Sequence, residues 1–145
     1  MRVFLDANIL FSAARSPGAI RRLVEEIQAC GHECVADEYV IAEARRNLEK
    51  KFPSTLTDFE SRLRGISRLS SPPSLSTPSL ALLLPEKDRH VFASAIQHQC
   101  DALITGDKTH FGRLYGQTIA GVCIHSPRSL AEVLVGARGA ETDVI

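Results

Sequence analysis

Apolar positions recur along this chain with two periods, and the alternation between them lays out the elements. Residues 2–6, RVFLD, form an apolar run closed by an acid and read as a short buried strand. Residues 8–14 read as a loop or a short helix. Ser16-Pro17-Gly18 breaks the chain and starts a helix, because serine caps and proline suits a first turn. Over 18–30, Ile20, Leu23, Val24 and Ile27 fall at helical spacing, Arg21, Arg22, Glu25 and Glu26 face outward, and Gly31 ends the helix. A second short strand follows at 34–36. Asp37 caps a helix over about 38–52 that Pro53 ends, and Leu56, Phe59 and Leu63 mark a third helix over about 55–67. The Ser/Pro-rich stretch 70–79 reads as a surface loop, with a short strand near 68–70 leading into it. Val91, Phe92, Ala95 and Ile96 give an apolar face to a helix over 86–99. A buried strand at 102–105, a tight turn at Gly106-Asp107, a short helix around 110–114, a last strand at 121–125 and a final helix over 129–135 complete the order. Short apolar strands alternating with amphipathic helices predict an α/β fold, a parallel sheet with helices on both faces. Ligands bind such sheets beyond the carboxyl ends of the strands.

Length and composition narrow the class without choosing a function. The 145 residues suit one domain, placed at 1–135, with 136–145 expected to be a flexible tail. Apolar residues make up 44% of the chain and charged residues 23%, as in ordinary globular proteins. No apolar run approaches the ~20 residues of a membrane span. The opening MRVFLDANIL carries Asp6 inside its apolar stretch, which makes a poor secretory signal, so a cytoplasmic location is expected. Four cysteines include no C-x-x-C pair; Cys30, His32 and Cys34 are close enough for zinc, but a helix cap at Gly31 followed by an inward Cys34 explains them more simply. Cys100 and Cys123 are expected as small core residues.

The chemistry concentrates in four carboxylates: Asp6, Glu43, Asp88 and Asp107. Asp6 and Asp107 follow strands, Asp88 opens a helix and Glu43 lies within one, so all four are able to face one crevice. Like charges gathered there repel, and burial raises the cost, so a divalent cation is the usual reason for such a cluster. Taken alone, Asp88 is equally well explained as a helix cap and Asp107 as a turn residue. Asn8 and Thr105 are placed to brace Asp6. Lys108 and His110 flank Asp107 and read more simply as residues of a solvated turn. Formal net charge is zero, but the stretch from Arg45 to Arg68 is net positive. As a solvated helix face it is unremarkable; beside a metal site, Arg45, Arg46, Lys50 and Lys108 become candidate RNA contacts. A haloacid-dehalogenase-like phosphatase needs a second acid where Asn8 stands, and a phosphorylated receiver needs an early acidic pair and a late strand-end lysine; neither pattern fits.

The motifs DANIL at 6–10, VIAEARRNL at 40–48 and KDRHVFASAIQHQCDALITGDKTHF at 87–111, in that order, resemble the PIN-domain ribonucleases, above all the VapC-type toxins of bacterial toxin–antitoxin pairs. The resemblance runs from residue 2 to about 135. It implies a PIN-like α/β/α sandwich around a central, mostly parallel five-stranded sheet. It also implies Mg²⁺- or Mn²⁺-dependent endonucleolytic hydrolysis of RNA that leaves 5′-phosphate and 3′-hydroxyl ends. The family's acidic quartet falls on Asp6, Glu43, Asp88 and Asp107, with Asp6, Asp88 and Asp107 as metal ligands and Glu43 acting on the attacking water. Glu43 is preferred to Glu38 and Glu49 because it follows the apolar Val40-Ile41-Ala42 and the resemblance places the family's glutamate there. Many members carry two adjacent acids at the third position; here Lys87 precedes Asp88, and Glu86 stands one place earlier, either in the site or favouring the helix start by its charge. A small antitoxin that blocks the groove is the implied partner, and a homodimer is expected by analogy. A non-toxin RNA-processing nuclease and an inactive binding module are the alternatives.

Overall fold

Helix starts and strand ends are set by residues that satisfy the backbone where it changes course. The computed structural model describes residues 1–71, Leu82 and residues 84–143, with side chains described as far as Ala137. Most of the Ser/Pro-rich stretch read as a surface loop therefore lies outside the described residues. The first strand, β1 (Arg2–Leu5), is the centre of the sheet, and Val3, Phe4 and Leu5 have no exposed surface. A strand covered on both faces needs such an unbroken apolar run. Asp6 ends it and caps α1 (Ala7–Arg15), accepting a hydrogen bond from the Ala7 N–H at 2.7 Å. The segment read as loop or short helix is thus a full helix, with Ile9, Leu10, Ala13 and Ala14 turned to the core.

Ser16 closes α1 instead of opening α2 (Ala19–Ala29), whose cap is Gly18 with no side-chain bond. Arg21 holds this junction, donating to the Ala13 and Ala14 carbonyls at 2.7 and 3.2 Å. Gly31 at φ 83° turns the chain into β2 (Glu33–Asp37), a conformation that favours glycine. Asp37 caps α3 (Glu38–Lys51) through a 2.9 Å bond from the Val40 N–H. Pro53 follows the end of that helix, and α4 (Leu56–Arg62) leads through a short 3-10 turn into β3 (Ser67–Leu69). Further along the chain come α5 (Glu86–Gln97), β4 (Ala102–Ile104), α6 (Lys108–Phe111), β5 (Thr118–Ile119), β6 (Val122–His125) and α7 (Pro127–Asp143). The final helix is longer at both ends than the segment read from sequence, with helical backbone as far as Asp143.

Among the described residues the sheet has six strands, in the order β3-β2-β1-β4-β6-β5, where five were expected. The additional strand is the two-residue β5, antiparallel to β6 at the edge; every other pairing is parallel. Ala120 and Gly121, at φ 51° and 86°, form the two-residue link between them. Two residues are too few to show an alternation, so periodicity does not reveal such a strand. The chain runs from β1 outward to β2 and β3, then returns to the other side of β1 for β4. The order reverses between β1 and β4, and a crevice opens past their carboxyl ends.

Candidate active site

The crevice past β1 and β4 holds the acids, and it is tied together by short side chains at the two strand ends. Asp6 Oδ1 accepts from the Ala7 N–H, and its Oδ2 accepts from the Thr105 hydroxyl at 2.8 Å and Asn8 Nδ2 at 3.3 Å. Thr105 Oγ1 also accepts from the Asp107 N–H at 3.1 Å. Asn8 Oδ1 accepts from the Gly106 N–H at 2.8 Å, while Asn8 Nδ2 lies 3.3 Å from Thr105 Oγ1. Asn8 and Thr105 thus lock the strand-end acid of β1 to the turn after β4. Gly106 suits the close approach: a Cβ there would lie 3.3 Å from Asn8 Oδ1. The Tyr115 hydroxyl donates to the Thr105 carbonyl at 2.8 Å and braces the same turn.

Helices α3 and α5 bring the other two acids. Glu43 and Asp88 join Asp6 and Asp107 in lining one groove of about 370 Å³, together with Asn8, Phe11, Asn47, Lys51 and Lys87. Asn47 and Lys51 follow Glu43 at one- and two-turn spacing, which puts all three on one face of α3. Glu43 is the groove's glutamate: Glu38 instead pairs with Arg68 at 3.2 Å, and Glu49 is exposed. Glu43 accepts an ion pair from Lys87 Nζ at 3.0 Å, so the lysine that stands in place of a second acid neutralises a neighbouring one. Glu86 does not line the groove; it opens α5, where an acid favours the helix N-terminus.

Burial makes this a costly place for charge. Asp6 is 4% exposed, and burial pushes its carboxyl up to about 6 despite the bonds from Thr105 and Ala7; Asp88 and Glu43 push it further in the same direction. Asp88, 3% exposed, is also raised, first by burial, with Asp107 adding to the shift and His110 opposing it. Asp107 caps α6, accepting from the His110 N–H at 3.1 Å. His110 Nδ1 lies 2.7 Å from Asp107 Oδ2 and 2.8 Å from Asp88 Oδ2. Neither Asp88 Oδ2 nor His110 Nδ1 has a hydrogen bond of acceptable geometry, although both are buried atoms. Asp88, Asp107 and His110 offer ligand atoms all within 4.8 Å of one another. With Asp6 beside them, these residues fit a divalent cation of oxygen-ligand preference such as Mg²⁺ or Mn²⁺.

The sequence placed His110 in a solvated turn, and the structure places it between two acids. The signal was the Asp-x-x-His spacing from Asp107, which puts both side chains on one side of a helical turn. Arg45 is a correction in the other direction. It lies on the far side of α3 from Glu43, bound to Glu60 at 2.7 Å, and does not reach the groove. Arg46, Lys50 and Lys108 are exposed and do not line the groove. None of the four cysteines is in a disulfide, and Cys34 and Cys100 are buried in the core.

A family model described as PIN domain matches residues 2–109. Among solved structures, the chain is similar to one of VapBC2 from Rickettsia felis bound to a DNA fragment from its promoter, with a TM-score of 0.61 and 14% identity, covering 87% of this chain and 98% of that one. It is also similar to VapBC-1 from nontypeable Haemophilus influenzae, with a TM-score of 0.57 and 14% identity, covering 88% of this chain and 99% of that one. No curated protein gives a significant match.

Proposed function

The chain belongs to the PIN-domain family, and from that premise we propose that it is a Mg²⁺- or Mn²⁺-dependent endoribonuclease, the toxin of a toxin–antitoxin pair. The observation that carries the reading is the convergence of Asp6, Glu43, Asp88 and Asp107 on one open groove at the β1–β4 switch point, with two of them raised by burial.

Asp6, Asp88 and Asp107 would hold the cation. When bound, it lowers the pKa of a water and offsets charge on the phosphoryl group under attack. The protein's own residues do the rest. Asn8 and Thr105 fix Asp6, and the backbone of α6 fixes Asp107, so the carboxylates need little reorganisation to bind. Glu43, on the opposite wall, orients the attacking water and accepts its proton. The new bond joins the water oxygen to phosphorus as the bond to the 3′ oxygen breaks, and that oxygen leaves as a hydroxyl after taking a proton from solvent. Lys51 and Asn47, along the same helix face, are positioned to meet the RNA backbone on entry.

The toxin assignment and an antitoxin partner rest on the likeness to VapBC structures, which are complexes by name. Cytoplasmic location and a homodimer follow from the same analogy. Cleavage of a mixed RNA pool by purified protein tests the activity. Cutting is expected with Mg²⁺ or Mn²⁺ and should vanish with EDTA or with Asp6→Asn. Metal-independent cutting, or full activity in Asp6→Asn, would overturn the reading. Expression without a cognate antitoxin should arrest growth; unaffected growth alongside intact cleavage would remove the toxin role and leave an RNA-processing nuclease.

A further inference from the structure

We propose that His110 is a fourth protein ligand of the metal, through Nδ1, and that it turns an all-oxygen site into one that prefers Mn²⁺ and later transition ions to Mg²⁺. The inference rests on the metal-dependent reading above and refines it. Three observations carry it. His110 Nδ1 lies 2.7 and 2.8 Å from Oδ2 atoms of two different acids, Asp107 and Asp88. A six-coordinate ion with bonds of about 2.1 Å keeps adjacent donor atoms about 3 Å apart, so these atoms need to spread by only a few tenths of an ångström. Asp88 is 3% exposed, and its buried Oδ2 has no directed hydrogen bond, although the imidazole nitrogen is adjacent; Nδ1 lacks one as well. Ligand atoms of Asp88, Asp107 and His110 all lie within 4.8 Å of one another, close enough to share one ion.

Local structure explains why the ring is in position. Asp107 caps α6, and its Oδ1 takes the His110 backbone N–H at 3.1 Å. One helical turn then brings the imidazole back beside the same carboxylate. Ligation through Nδ1 requires the neutral ring with its proton on Nε2. Mg²⁺ gains little from a nitrogen donor, whereas affinity for imidazole rises from Mn²⁺ toward Co²⁺ and Ni²⁺. The consequence is a metal preference written into one residue of the turn after β4.

The test uses the full RNA-free chain, with Mn²⁺ and Mg²⁺ binding followed by calorimetry and the Mn²⁺ complex examined by pulsed EPR. Wild type should bind Mn²⁺ more tightly than Mg²⁺ and show ¹⁴N coupling. His110→Ala should lose that coupling and about tenfold or more in Mn²⁺ affinity, with Mg²⁺ affinity changed far less. Mn²⁺ bound to wild type without nitrogen coupling would overturn the ligand role and leave the nuclease reading standing. Tighter metal binding by His110→Ala would also overturn it, by showing that the ring competes for the site. Nitrogen-coupled Mn²⁺ in a protein that cuts no RNA would uphold the ligand and sink the nuclease. Absence of any metal binding would sink both.

Discussion

Asp6 shows how one side chain can serve the fold and the site while being costly to the fold. It caps α1 and ends the central strand, yet its carboxyl is pushed up to about 6, first by burial. For an acid raised from 3.8 to about 6, the folded state keeps its proton across a window where the unfolded chain has lost it. Between those values the unfolded state binds fewer protons, so metal-free stability should fall as pH rises from about 4 to about 6 and stay low above. At about 1.4 kcal/mol per pK unit, the loss is at most about 3 kcal/mol. Asp6→Asn, which cannot ionise, should flatten that part of the urea-derived stability profile and be the more stable protein at pH 7.5 without metal. A profile as steep as that of wild type would place the titration elsewhere. Mn²⁺ should restore stability to wild type above pH 6 and stabilise Asp6→Asn, which keeps Asp88, Asp107 and His110 but lacks one carboxylate, far less. Thr105 offers a second probe. Its hydroxyl donates to Asp6 Oδ2 and accepts from the Asp107 N–H. Thr105→Val keeps the shape and removes both bonds, for a loss of about 1–3 kcal/mol. Metal affinity should drop about 10–100-fold as Asp6 and Asp107 lose their common brace, readable in the same calorimetric titration.

Legibility differed by element, for physical reasons. Long helices and the strands β1 and β4 declare themselves, because a buried strand demands consecutive apolar residues and a surface helix demands a stripe. Glu43 was separated from Glu38 and Glu49 by its place after Val40-Ile41-Ala42 together with the family resemblance, and it is the glutamate that lines the groove. His110 could not be placed in this way, because its position depends on how α6 folds back over Asp107 and how α5 carries Asp88 to meet it. Tertiary placement of this kind leaves only a weak trace in a four-residue helix. The β5 strand was invisible for a related reason: a turn, not a pattern, creates it. That turn is open to direct test. Gly121 sits at φ 86° with nothing within 4 Å of where a Cβ would be, so Gly121→Ala meets backbone strain alone. It should cost about 1–2 kcal/mol in urea unfolding. Metal affinity should be unchanged, since this turn precedes the amino end of β6, which pairs with the amino end of β4, whereas the groove lies past the carboxyl ends. A loss of metal binding would mean that the edge hairpin, and not the β1–β4 junction alone, sets the site.

For the whole molecule, the proposed activity raises the question of how a chain of zero net charge would hold a polyanion. The stretch from Arg45 to Arg68 looked basic in sequence, but folding pairs three of its arginines with acids. Arg45 binds Glu60, Arg62 binds Asp58 and Glu25, and Arg68 binds Glu38. Among the described residues, no such ion pair engages Arg46, Lys50 or Lys51, and only Lys51 reaches the groove wall. Exposed pairs of this sort add little stability, but they remove cations from the field that an RNA strand would meet. Three phosphate contacts on a single strand give a log–log salt slope of only about −2, so affinity should depend weakly on salt. Fluorescence anisotropy with a short single-stranded RNA in EDTA, where the metal-dependent cut cannot occur, measures that slope directly. Lys51→Gln should weaken binding and flatten the slope by about 0.7, whereas Arg45→Gln should leave it unchanged, its charge already balanced by Glu60. A slope near −5 would require more cations than the groove supplies and would move the RNA path onto the outer face of α3. A shallow slope that responds to Lys51 alone would instead confine the RNA to the groove that holds the four acids. Cation binding then becomes the main means by which this nearly neutral surface tolerates phosphate.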